Sequence, residues 1–228
     1  MSAIKLAGAA WSFVGTSLVE SAHIWRALGV RAMDLLALPG APIDAEAIDR
    51  DPRGLARRFT EPGLELPNLI YIFGAGFEDR AINSVDPAVR QRNLETLKNV
   101  LECCQAAHIR SLLILPGVDQ PGLSHAGSLA LAAESLNAMD ELAHDAGVGL
   151  VFEPHVDPIL ENPREALEFL RHNPALRIGL DYAHFVVQGY PPSDVDPLVP
   201  YAGHFHLRQA AEKQLQARWD DGQIDSRR

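Results

Sequence analysis

The chain has 228 residues, 47% of them hydrophobic and 22% charged, with a formal net charge of −10. That length supports one large soluble domain with a substantial core, and the acidic balance disfavours nucleic-acid binding through a broad basic face, which needs clustered Lys and Arg. The two cysteines, Cys103 and Cys104, are adjacent; neighbours rarely form an unstrained disulfide, so they read as reduced, buried thiols of a cytoplasmic protein.

The N-terminal MSAIKLAGAAWSF is too short to span a membrane and reads as a first strand rather than a signal peptide. Strand patterns then recur in chain order at residues 4–10, 32–38, 67–73, 111–115, 149–153, 177–181 and 203–207. Helical patterns fill the intervals at 19–28, 45–59, 87–107, 127–146 and 164–172. The helix after Asp86-Pro87 has an Asp at its N-cap and Pro in its first turn. Its Leu94, Leu97, Val100, Leu101 and Cys104 repeat at three and four, which buries one face. Asn162-Pro163 opens a shorter helix in the same way. Strand alternating with helix favours parallel βαβ units. No repeat or linker divides the chain, so residues 1–228 read as a single domain.

A closed barrel of parallel strands needs eight, and seven are visible. Either the sheet is open with seven strands or the chain is C-terminally truncated before the eighth; truncation is the favoured expectation, with GQID as the capped start of a further helix that SRR interrupts.

The chemistry lies in the last third. The segments GVGLVFEPH, LRIGLDYAHF and AGHFHLRQA carry Glu153, Asp181, His184, His204 and His206 at the ends of apolar runs. Parallel barrels build their sites there, at the C-terminal ends of buried strands. Side chains alternate across a strand. Glu153 then shares its face with Val151, Asp181 with Gly179, and His206 with His204 and Arg208. In each case the apolar neighbours turn to the helix layer. Pro154 holds Glu153 extended. Carboxylates and imidazoles together suit a divalent cation such as Mn²⁺, Mg²⁺, Co²⁺ or Zn²⁺. His155 has the parity of Glu153 and is a candidate substrate contact. His23, His108, His144 and His172 fall on helices and read as solvated, and His125, in the loop after the fourth strand, is ambiguous. With Lys213 the only lysine near the mouth, a Schiff-base aldolase is disfavoured. No GxGxxG or GxxxxGK[ST] phosphate loop occurs.

On FEPH, LDYAHFVVQGY and HFHLR the chain resembles the sugar phosphate isomerase/epimerase family, the xylose isomerase-like barrels, over nearly its whole length. The resemblance implies an α/β TIM (β/α)8-type barrel with about seven strands present. It implies one divalent metal on Glu153, Asp181 and His206, with the family's fourth ligand, a Glu ending strand eight, absent. It matches His184 to a substrate-binding His and, more loosely, Arg208 to a polar substrate contact. LDYAHFVVQGY is similar to an endonuclease IV signature as well. That branch needs histidines on strands three and four, and IYIFGAG and LLILPG have none.

The implied activity is metal-dependent isomerisation or epimerisation of a small sugar or hydroxy-ketone. Glu153, or the absent strand-eight Glu, would remove the proton α to the carbonyl to give an enediolate. His155, His184 and Arg208 would contact substrate. A dehydratase on a related substrate and a truncated, non-catalytic barrel are the alternatives. No nucleic-acid or membrane partner is expected, and assembly into a homo-oligomer stays open.

Overall fold

Strand and helix alternate from end to end. In the computed structural model, residues 5–13, 15–39 and 43–225 are described. In chain order the elements are β1 (Gly8–Ala9), α1 (Leu18–Ala27), β2 (Met33–Ala37), α2 (Ala45–Arg50), α3 (Pro52–Thr60), β3 (Asn68–Tyr71), α4 (Pro87–Ala106), β4 (Ser111–Ile114), α5 (His125–Asp145), β5 (Gly149–Phe152), α6 (Pro163–His172), β6 (Ile178–Asp181), α7 (Ala183–Val186), α8 (Pro192–Val195), a 3-10 turn (Asp196–Tyr201) and β7 (Ala202–His206). All strand pairs are parallel and follow sequence order, β1 to β7. The result is a TIM-barrel-like arrangement in which, among the described residues, an eighth strand is not seen.

Caps fix where the helices begin. Asp86 accepts from the Ala88 N–H, and Asn162 from the Arg164 N–H, each just ahead of a proline that needs no partner for its own nitrogen. The single helix expected over 45–59 is two helices. Pro52 disfavours a helical Asp51, which sits at φ −147° and ψ 73°. The Asp51 side chain then accepts the Gly54 N–H and starts α3.

The two faces of the sheet separate as strand alternation predicts. Leu112, Ile114, Leu150, Phe152, Ile178 and Leu180 pack outward in one large core with helix residues such as Leu97, Val100, Cys104, Leu136 and Met139. Ile70, Leu113 and Val151 form a smaller cluster inside the sheet, with Leu36 and Ile72 against it. Burying each such side chain contributes about 1.5–3 kcal/mol. Cys103 and Cys104 are buried and free, and burial pushes the Cys103 thiol up to about 12.

Two departures have local causes. The first strand is shorter than residues 4–10: only Gly8 and Ala9 pair with β2, and residue 4 lies outside the described residues. The Trp25 ring fills the space where a Cβ of Gly8 would be, 2.1 Å away, and its Nε1 donates to the Ala9 carbonyl. The GQID segment does not start a helix. Residues 222–225 fold back on the segment following β7, where the Gln209 amide brackets Ile224, donating to its carbonyl and accepting its N–H.

Strand β7 contains a bulge. Ile178 pairs with Ala202 but Gly179 with His204, which leaves Gly203 as the extra residue. A Cβ at Gly203 would meet Val151 Cγ1 at 2.8 Å. Past the bulge the alternation resumes, so His204 and His206 face inward. Phe205 and Leu207 face out, 53% and 58% exposed.

Candidate metal and substrate site

Three strand ends supply the polar cluster. Glu153 directly follows β5, and its N–H still donates to the Ile114 carbonyl, so strand geometry carries on through it. Asp181 is the last residue of β6. Its Oδ1 accepts the Ala183 N–H at 2.8 Å, the turn that opens α7 and brings His184 back beside it. His206 ends β7 and Arg208 follows two residues on. Glu153, Asp181 and His184 are all buried.

The six residues singled out from the sequence come together. His206 Nδ1 donates to Glu153 Oε1 at 2.6 Å. Arg208 Nη2 lies 2.7 Å from Asp181 Oδ2 and 2.8 Å from His184 Nε2. Since a guanidinium only donates, His184 Nε2 accepts, and the ring is neutral with its proton on Nδ1. Burial, reinforced by the nearby His155, Arg208 and His206 charges, pushes His184 down to about 2. Its approaches to Asp181 (3.7 Å) and Glu153 (4.0 Å) are therefore contacts of a neutral ring and not ion pairs. The His155 and His184 rings lie 3.6 Å apart between centroids, and the Phe77 ring lies 5.3 Å from His155.

Charge is concentrated here. Burial raises the Asp181 carboxyl above its usual range, and Arg208 opposes that shift. Burial also disfavours a charged His206, but its bond to Glu153 and the charges of Glu153, Asp181 and Asp34 together outweigh that, and the ring's affinity for a proton is raised.

Donor atoms of Glu153, Asp181 and His206 lie within 4.8 Å of one another, as do those of Glu153, His155 and His184. The His206 Nε2 and His184 Nδ1 atoms are buried without a partner. Two buried carboxylates, an imidazole and unpaired ring nitrogens fit a divalent cation.

Asp34 of β2 was not anticipated. It is buried, and His204 Nε2 donates to its Oδ2 at 2.8 Å across the sheet interior. The sequence signal was a lone acid in AMDLLAL, on the inward side shared with Leu36. Conversely, His125 stands apart, gripped by Asp119 and Glu165 at 2.8 Å each. His23, His108, His144 and His172 are exposed as expected.

Residues 23–227 match the xylose isomerase-like TIM barrel family. The chain belongs to that family. Among curated protein sequences none matches it. Several solved structures share the fold. A D-psicose 3-epimerase, determined in the presence of D-fructose, superposes with a TM-score of 0.68 at 19% identity, over 90% of this chain and 73% of that one. The probable 3-DHS dehydratase AsbF of Bacillus anthracis gives 0.69 at 15% identity, over 90% and 73%. The IolI protein with a binding zinc atom gives 0.66 at 15% identity, over 84% and 67%. At these identities the likeness is one of fold. Among the described residues, the groups able to hold an ion draw on β2, β6, β7 and the segments after β5 and β6, and none on β3 or β4. No described helix is long and apolar enough to cross a membrane.

Proposed function

We propose that this family member is a divalent-metal-dependent isomerase or epimerase of a small sugar or hydroxy-ketone, its 228 residues acting as one domain. The observation that carries the reading is the convergence of Glu153, Asp181 and His206 donor atoms at the strand ends, with His184 and Arg208 beside them. Glu153, Asp181 and His206 would hold a cation of the Mn²⁺, Mg²⁺, Co²⁺ or Zn²⁺ kind. Bound there, it would supply Lewis acidity toward a carbonyl and an adjacent hydroxyl.

The protein's own groups do the rest. Glu153 is the catalytic base, with Oε1 engaged by His206 and Oε2 turned toward His184. Oε2 takes the proton from the hydroxyl-bearing carbon α to the carbonyl and returns it to the carbonyl carbon, while the hydroxyl proton passes to the former carbonyl oxygen. Arg208 donates to the substrate oxygen on which charge develops, and the neutral His184 offers a donor that does not titrate near neutral pH. The His155 ring packs tilted against His184 and would limit water on that side. One carboxylate suffices for proton transfer between adjacent carbons on one face. Epimerisation needs a second donor on the opposite face. A β-hydroxy ketone in the same site would lose water instead, the lyase reading to which the AsbF likeness lends support.

The test is incubation with Mn²⁺ or Co²⁺ and D-fructose, D-psicose or D-tagatose in D2O, followed by NMR. Deuterium should enter at the carbon α to the carbonyl, and Glu153→Gln should slow exchange by about 10²–10⁴-fold. Exchange unaffected by that substitution would sink the assignment of Glu153. No exchange with any hydroxy-ketone, while metal still binds, would favour a barrel that binds without turnover.

A further inference from the structure

We infer that Asp34, His204 and His206 form a second cation site, next to the one built on Glu153 and Asp181. Their donor atoms lie within 4.8 Å of one another. They come from β2 and β7, and the two histidines share the inward face of β7 by their i, i+2 spacing.

Two orphaned atoms point to a ligand here. Asp34 Oδ2 accepts from His204, but Asp34 Oδ1 is buried with no partner. His206 Nδ1 serves Glu153, but His206 Nε2 is also buried with no partner. A plain Asp34–His204 hydrogen bond explains neither, and a buried polar atom left unpaired disfavours the fold. A cation bound by Asp34, His204 and His206 Nε2 satisfies both. One carboxylate and two imidazoles make a donor set suited to Zn²⁺ or Co²⁺, with room for water at a further position.

His206 Nδ1 faces Glu153 and its Nε2 is the unpartnered atom, so the second site draws on the ring nitrogen that Glu153 does not engage.

Equilibrium dialysis of the metal-stripped full chain against Zn²⁺, read by elemental analysis, tests this. The expected result is two equivalents for the wild type and one each for Asp34→Asn, His204→Asn and the Glu153→Gln/Asp181→Asn pair. One equivalent in the wild type overturns the inference without any variant needing to fold. Two equivalents retained by both Asp34→Asn and His204→Asn overturn it as well. A wild type that binds one equivalent, kept by Asp34→Asn and lost in the Glu153→Gln/Asp181→Asn pair, would leave a single ion at the first site, and Asp34 with only a hydrogen bond to make.

Discussion

A single nitrogen of Arg208 serves two buried groups, lying 2.7 Å from Asp181 Oδ2 and 2.8 Å from His184 Nε2. Asp181 is almost wholly buried, so its charge depends on that guanidinium. Removing one partner of a buried pair costs about 3–5 kcal/mol, and the lower end applies because Arg208 is 28% exposed. Arg208→Ala should destabilise the metal-free protein by about that amount in urea melts. Added Mn²⁺ should recover more stability in the variant than in the wild type, since a cation would replace the lost charge. Equal metal-induced shifts would show that Asp181 is not part of the cation site.

A pH-dependent contribution is expected at His125. Burial lowers its proton affinity, but Asp119 and Glu165 together raise it above the ordinary value. A His raised in the folded state adds stability below its unfolded pKa, about 6.5, and loses it as pH rises through the folded value. His125→Asn should therefore melt earlier than the wild type at pH 6, with the gap closing by pH 9. A gap that widens with pH would contradict the two-carboxylate grip.

Gly179 leaves no room for a side chain. A Cβ there would lie 2.4 Å from Leu113 Cδ1, and overpacking a filled interior costs about 1–3 kcal/mol. Gly179→Ala should lower stability by that order in chemical denaturation. A neutral result would mean the interior around Leu113 and Val151 is looser than its packing indicates.

On the outer face at one edge of the sheet lie Phe205 of β7 and Leu207 just past it, both more than half exposed. Exposed apolar edges invite association. Replacing both with Thr should reduce light scattering at high protein concentration. Stability should shift by only about 0.5 kcal/mol per site, as for other surface changes. Unchanged scattering would remove this face as a cause of self-association.

Much of this was legible in the chain. The alternation of apolar runs and helical periods placed all seven strands, and parity alone turned Glu153, Asp181 and His206 to one side. The bulge at Gly203 did not disturb that reading because it precedes His204. What sequence could not supply was pairing across the interior. Nothing local ties Asp34 to His204, 170 positions away, and an isolated Asp in an apolar strand has many structural uses. The break at Pro52 was visible but lost within a continuous helical period. The loss of a helix at 222–225 depends on Gln209, whose amide claims the backbone that a helix would have used.

The cluster of Ile70, Leu113 and Val151 lines the sheet interior on β3, β4 and β5, with Val151 two residues before Glu153, and it holds no charged side chain. Such a floor is a poor dielectric, so it neither screens the carboxylates nor lets ions approach from beneath. The field of the site is thus one-sided, projecting through the mouth alone. Anything cationic arrives down a single electrostatic slope and must leave against it.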